Sequence, residues 1–114
     1  MELAIDPAEL QRNAADAVRL LKALANENRL LVLCQLVGGE RSVGQLVATV
    51  GLSQSALSQH LALLREDGLV ATRRDGQTIW YSLSGHGVPQ VLEVLANLFC
   101  APRGGARVRR KGSR

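Results

Sequence analysis

Aromatic residues, cysteines and long apolar runs are all scarce in this 114-residue chain. Phe, Trp and Tyr make up 3% of it, while apolar residues reach 46%, so we expect a core of mostly Leu, Val and Ala. No apolar run approaches the roughly 18 residues of a membrane span. The acidic start, MELAIDPAEL, lacks the basic flank of a secretory signal. These absences predict one cytoplasmic domain.

The net charge of +4 is unevenly distributed. Six of the 14 basic residues lie between residues 103 and 114, which leaves 8 basic and 10 acidic residues in the remainder. The terminal RGGARVRRKGSR has no apolar periodicity, which is typical of disorder. We therefore expect a folded domain over residues 1–102 and a basic disordered tail over 103–114. The tail would add non-specific phosphate contacts that weaken with salt, or would act only as a solubilising segment.

Start and stop signals divide the domain into five helices and one hairpin. The first helix begins after Asp6 and continues to Leu24, and the next three begin at Asn26, Ser42 and Ser53. Asp75 and Gly76 form the expected turn pair of the hairpin, and a last helix follows Gly87. Alternation along the second strand places Trp80 on the outer face. Helix ends are predicted at Gly38 and Gly39, at Gly51 and at Gly68.

The fourth helix has two different faces. Leu57, Leu61 and Leu64 recur at helical spacing and predict a buried stripe. The opposite face carries small or uncharged groups that can hydrogen-bond to base edges in a DNA major groove, namely Ser55, Ser58, Gln59 and Ala62. A solvated surface helix would look similar.

The neighbours of this helix favour the DNA-binding interpretation. A short helix and a tight turn precede it, which is the order of a helix-turn-helix. A strand ending in Arg73 and Arg74 follows it directly. The predicted fold is therefore mainly α with a small hairpin: a winged helix-turn-helix of five helices and a two-stranded wing.

The first and last helices carry more apolar surface than such a small core needs. We expect a homodimer formed through these helices; the alternative is a monomer whose own core they cover. A two-fold dimer would place its recognition helices about 34 Å apart and so read a palindromic double-stranded DNA operator.

The segment ANENRLLVLCQLVGGERSVGQLVATVGLSQSALSQHLALLREDGLVATRRDGQTIWYSL resembles the ArsR (ArsR/SmtB) family of bacterial winged-helix repressors. The similarity extends from about Val18 to Phe99. It implies a homodimeric DNA-binding repressor that is released by an inducer. By position in the motif, the implied base-facing residues are Gln54, Ser55, Ser58 and Gln59. The implied flanking and wing contacts are His60, Arg65, Arg73, Arg74 and Gln77.

The usual metal ligands of that family are missing here. Its arsenic- and cadmium-type members carry a Cys-x-Cys element where this chain reads SVGQLVATV, and its zinc- and nickel-type members carry Asp and His along the last helix. Here that helix offers only Glu93 and Cys100. We expect no metal and no cofactor, although a thiophilic metalloid bridging two thiolates stays open. An enzyme is not expected either, because no nucleophile, base and oxyanion site are brought together.

Cys34 and Cys100 are the only cysteines. Taken by themselves they favour structural packing, because free cysteine is among the most buried residue types. Both also lie toward helix C-termini, where the helix dipole disfavours a thiolate.

Resemblance to one branch of the family reverses that preference. RLLVLCQLV, SVGQL and LFCA resemble the branch typified by BigR and SqrR, which are dithiol sensors of persulfide and polysulfide. The resemblance implies that Cys34 and Cys100 become linked by reactive sulfur and that DNA is then released. Three alternatives stay open: a response to general oxidants, a response to a metalloid, and a non-sensing DNA-binding dimer with structural cysteines.

Overall fold

The computed structural model describes residues 5–85 and 87–100. Within these ranges, six helices and three strands follow one another along the chain. They are α1 Pro7–Arg12, α2 Ala14–Leu24, α3 Glu27–Leu36, β1 Arg41–Ser42, α4 Val43–Val50, α5 Gln54–Glu66, β2 Val70–Asp75, β3 Thr78–Leu83 and α6 Val88–Phe99. None of the helices described is both long and apolar enough to cross a membrane. The predicted tail, residues 103–114, and His86 lie outside the described residues.

The predicted helix starts are confirmed by side-chain caps. The carboxylate of Asp6 accepts a hydrogen bond from the backbone N–H of Ala8, and the amide oxygen of Asn26 accepts two from the first turn of α3. The Ser42 hydroxyl forms a reciprocal capping box with Gln45. Each cap gives a partner to backbone donors that the helix itself leaves unpaired.

The predicted first helix is divided in two. Asn13 leaves the helical conformation (φ −105°, ψ 13°), and its side-chain amide donates to the carbonyl of Glu9 at 3.0 Å. An asparagine side chain that bonds to its own backbone competes with the helix ladder. This local competition ends α1 at Arg12, and α2 begins at Ala14, so six helices are seen in the described ranges and not five.

The wing has one strand more than the sequence predicted. β1 pairs antiparallel with β3 through Arg41 with Tyr81 and Ser42 with Trp80, giving the strand order β1-β3-β2. A two-residue strand carries no periodicity, which is why the pattern did not indicate it. The hairpin turn also shifts by one residue, because Asp75 pairs with Thr78. The central pair is therefore Gly76 and Gln77, with Gly76 at φ +65°.

The core has the predicted composition. Every buried side chain in the described ranges is Leu, Val or Ala, and none is polar. The stripe of α5 belongs to this core, and α5 packs against α3 and α4. The residues least exposed to solvent are Val32, Leu33, Leu46, Leu57, Leu61, Leu64 and Val88.

Candidate functional site

Helix α5 is held firmly on its inner face. Its N-cap, Ser53, accepts a hydrogen bond from the backbone N–H of Ala56 at 3.1 Å. Leu57, Leu61 and Leu64 are at most 1% exposed. The preceding turn depends on Gly51, whose φ of +83° is in the left-handed region that glycine favours. The inner stripe and the turn together fix which face of α5 meets solvent.

The outer face of α5 carries the predicted polar groups. Ser55, Ser58, Gln59 and Ala62 are exposed, and so is Gln54 at the first helical position. The face argument from periodicity did not select Gln54, but a side chain in the first turn of a helix is open to an end-on approach. Arg65 is exposed in the last turn. This face offers hydroxyl and amide groups to a ligand without fixed charge at its centre.

His60 differs from the rest of this group. The His60 side chain is only partly exposed, and its Nδ1 atom is buried without a hydrogen-bond partner among the described residues. The ring is therefore turned partly inward. It lies at the edge of the polar face.

The wing arginines have different surroundings. Arg73 and Arg74 are both exposed, but Arg73 makes a bidentate ion pair with Glu40: its Nε lies 2.8 Å from Oε2 and its Nη2 2.9 Å from Oε1. This hydrogen bonding holds the pKa of the Glu40 carboxyl below its ordinary value. The Arg73 guanidinium also lies over the Trp80 ring, 5.9 Å from its centroid. Sequence reasoning did not find Glu40.

A second candidate site contains both cysteines. Cys34, on α3, and Cys100, the C-cap of α6, line one cavity of about 290 Å³. Its other lining residues are apolar: Leu30, Leu92, Leu95, Ala96 and Phe99. Residues 66 positions apart in sequence are therefore brought together where α6 crosses α3.

Neither cysteine is buried in the single chain. Both are exposed residues and neither is in a disulfide, so the core of the single chain does not enclose them. The neighbouring apolar side chains still shield the Cys34 thiol. Partial burial, and then the nearby Cys100, raise the pKa of Cys34 above its ordinary value. At neutral pH Cys34 is therefore mostly a thiol.

Metal ligands are sparse across the same part of the chain. Within residues 5–85 and 87–100, no three His, Cys, Asp or Glu side chains come together as a metal-binding group. Apart from the two thiols, the cavity that they share is lined by apolar side chains.

The short helix α4, the glycine turn, the polar-faced α5 and the β hairpin together define a winged helix-turn-helix protein that binds DNA. The sequence model of the family described as bacterial regulatory protein, arsR family, matches residues 26–72. The transcriptional activator HlyU of Vibrio cholerae is 55% identical over 92 residues, which are 81% of this chain and 85% of HlyU. The chain belongs to the ArsR family of transcriptional regulators and is not an enzyme.

Solved structures support the same assignment. The repressor BigR from Xylella fastidiosa superposes with a TM-score of 0.81 at 39% identity, over 86% of this chain and all of that one. A structure of reduced HlyU from Vibrio cholerae gives a TM-score of 0.76 at 55% identity, over 81% of this chain and 97% of that one. The winged-helix fold expected from the sequence is thereby confirmed.

Proposed function

We propose that this protein is a homodimeric repressor that releases a palindromic DNA operator when reactive sulfur links Cys34 to Cys100. The observation that carries the proposal is the shared cavity: both thiols line one small apolar space between α3 and α6. A cytoplasmic location belongs to the same proposal, because the regulator must meet its operator there.

The DNA-binding half of the proposal rests on the outer face of α5. Gln54, Ser55, Ser58 and Gln59 would read base edges in the major groove, since amide and hydroxyl groups match the donors and acceptors displayed there. Arg65 and His60 would flank them at the phosphate backbone. Arg74 and Gln77, exposed near the hairpin tip, would meet the neighbouring phosphates. Phosphate contacts position the protein and base contacts select the sequence.

The dimer rests on exposed apolar side chains of the N-terminal and last helices. On α6, Val94, Leu98 and Phe99 are all more than half exposed in the single chain, and Leu10 and Leu21 are equally open on α1 and α2. Large contiguous apolar surface is typical of protein interfaces. One solved relative from Mycobacterium bovis, 29% identical, is described as a homodimeric winged helix-turn-helix domain. Two copies joined through this surface would carry two recognition helices.

The relatives differ in the sign of regulation. HlyU is named an activator, whereas a 41% identical protein of Xylella fastidiosa is named a biofilm growth-associated repressor. We assign repression because BigR of Xylella fastidiosa, whose structure superposes on this chain, is described as a transcriptional repressor. One structure of HlyU is described as its reduced form. That description is in keeping with a regulator that has a reduced and an oxidised state.

The linking chemistry balances with a hydropolysulfide as oxidant. One thiolate attacks a sulfane sulfur of HS–SH and expels HS⁻, which leaves a persulfide on that cysteine. The second thiolate attacks the inner sulfur of the persulfide and expels a second HS⁻, which gives a disulfide. When both cysteines are persulfidated first, their condensation gives a trisulfide and one H₂S. A direct disulfide needs Cα atoms within about 7 Å, and each inserted sulfur relaxes that limit.

The test is to treat the reduced protein with polysulfide and, separately, with hydrogen peroxide, and then to map both cysteines by peptide mass spectrometry. We expect a Cys34–Cys100 link that carries extra sulfur only after polysulfide. Operator binding measured on the same samples should fall at least tenfold, which needs only about 1.4 kcal/mol of coupling. Cys100→Ser should keep operator binding and lose the response.

Each other outcome has a defined meaning. A plain disulfide from both reagents would replace the sulfur sensor with a general redox switch. Normal release by polysulfide in Cys100→Ser would remove Cys100 from the switch. If neither thiol reacts while the operator is bound normally, the protein is a DNA-binding dimer without thiol sensing.

A further inference from the structure

The ion pair between Glu40 and Arg73 extends across the outer face of the wing. Glu40 directly precedes β1, Arg73 lies on β2, and β3 runs between these strands. Arg73 and Trp80 are directly paired across β2 and β3, so they lie on the same face of the sheet. The Arg73 guanidinium on β2 therefore reaches across β3 to Glu40, which lies beside the opposite edge strand β1. On β3 itself it lies over the Trp80 ring.

Glu40 also connects the wing to the rest of the domain. It lies four residues after the end of α3, the helix that carries Cys34, and two residues before Ser42, the N-cap of α4. The two residue pairs of β1 with β3, and the packing of α3 and α4 against β3, hold the hairpin at this segment between α3 and α4. The Glu40–Arg73 pair adds a side-chain tie at the opposite edge of the sheet.

We propose that Arg73 is a positioning residue, which sets the angle of the wing by holding Glu40 and Trp80, and that it does not contact DNA phosphates. The inference rests on the proposed contact of the wing with DNA. It assigns the wing's phosphate contacts to Arg74 and Gln77. Arg73 would act on DNA only by placing these neighbours.

The electrostatics of Arg73 favour this role. Two of its nitrogens already bond to both oxygens of Glu40, and Asp75 lies 3.9 Å from a third nitrogen. Two carboxylates therefore neutralise its charge before DNA arrives, and a phosphate would have to displace a bidentate partner. Arg74 has no ion pair within the described ranges, so its charge is available.

The decisive variant is Glu40→Gln, because the two roles predict opposite signs. Removing a negative charge beside DNA strengthens binding when Arg73 is a phosphate contact, since Arg73 is then set free. It weakens binding when Arg73 positions the wing. We expect a loss of about two- to fivefold in operator affinity, the range of an exposed ion pair. Arg73→Lys should lose as much, because lysine keeps the charge but lacks the planar fork.

Arg74→Gln is the matched control on the neighbouring residue. It should reduce the slope of log affinity against log salt by about 0.9, the signature of one lost phosphate contact. Arg73→Gln should lower the affinity and leave that slope unchanged. The double variant Glu40→Gln/Arg73→Gln should bind no more weakly than Arg73→Gln alone, because both changes remove one shared interaction.

A measurement without DNA separates this inference from the proposed function. Trp80 is the only tryptophan in the chain, so its quenching by acrylamide reports directly on the wing. Glu40→Gln and Arg73→Lys should both make Trp80 easier to quench, and Arg74→Gln should not. Unchanged quenching in the first two variants would overturn the inference even when operator binding is intact. Tighter binding by Glu40→Gln, together with a smaller salt slope in Arg73→Gln, would make Arg73 a phosphate contact.

Discussion

Cys34 and Cys100 lie on different helices and line the same apolar cavity. The two helices have separate roles, because α3 packs beneath the helix-turn-helix, whereas α6 carries exposed apolar residues suited to a dimer. A covalent link between the thiols would fix α6 against α3. It would therefore join the surface proposed for dimerisation to the core that supports the recognition helix.

The first prediction concerns the reactivity of Cys34. Its pKa is raised by burial and, to a smaller extent, by Cys100, and only the thiolate is the nucleophile. Alkylation of Cys34 by iodoacetamide should therefore be slow at neutral pH and should still rise with pH above the ordinary thiol range. Cys100→Ser removes the second cause, which lowers the pKa of Cys34 and should speed its alkylation at pH 8.

The rates are measured on the Cys34 peptide by mass spectrometry, so Cys100 does not contribute to the signal. Serine has nearly the size of cysteine, so the cavity should keep its shape. Equal or slower alkylation of Cys34 in Cys100→Ser would mean that the two thiols do not influence each other.

The second prediction tests base readout by Gln59. This side chain is exposed on the outer face of α5 and its loss opens no cavity. Gln59→Ala should weaken specific binding by about 1–3 kcal/mol, the value of one good side-chain pair with a base. Binding to unrelated DNA at the same salt should hardly change. The same substitution at Gln11, exposed on α1, is the control, and equal losses on both DNAs would argue against base readout.

The third prediction uses two glycines of one helix-turn-helix. Gly51 ends α4 at φ +83°, whereas Gly44 lies inside α4 with only Ser42 Oγ near an added methyl group, at 3.9 Å. Gly51→Ala should lower the free energy of unfolding by about 1–2 kcal/mol through backbone strain. Gly44→Ala should raise it by about 0.4–1 kcal/mol, because alanine restricts the unfolded chain. Urea denaturation of both variants checks the signs, and a shared sign would contradict the turn geometry.

Local signals in the sequence were enough to predict the helix-turn-helix. Ser53 caps α5 by accepting a hydrogen bond from the backbone N–H of Ala56, only three residues further on. Leu57, Leu61 and Leu64 repeat at helical spacing. Both features can therefore be recognised within a short stretch of sequence. The polar outer face follows from that stripe. The break at Asn13 was missed because Leu10 and Leu21 continue the apolar pattern across it, and periodicity does not detect a side chain that bonds to its own backbone.

Features that depend on distant residues were not predictable from the residues alone. Glu40 and Arg73 are 33 positions apart, and neither has a periodic or motif context that indicates its partner. The closeness of Cys34 and Cys100 depends on how α6 crosses α3, which packing decides. Only the resemblance to a dithiol branch of the family had suggested that pair.

The fourth prediction concerns the apolar surface of α6. Leu98 is 61% exposed in the single chain, and a two-fold interface would bury it against its own copy or a neighbour. Leu98→Glu would place a charge without a partner in that interface, which is strongly unfavourable. We expect the wild-type protein to sediment as a dimer at micromolar concentration and Leu98→Glu to sediment as a monomer.

Operator binding should respond to the same change, because a monomer holds only one half-site. Joining two half-sites through a dimer raises affinity by about 10²–10⁴, so Leu98→Glu should bind the operator at least a hundredfold more weakly and lose its preference for the palindrome over one half-site. Leu63→Glu, at an exposed leucine of α5, is the control for oligomeric state and should stay dimeric. A Leu98→Glu protein that remains a dimer and binds the operator normally would show that α6 covers some other surface. The two recognition helices would then have to be paired through a different face of the domain.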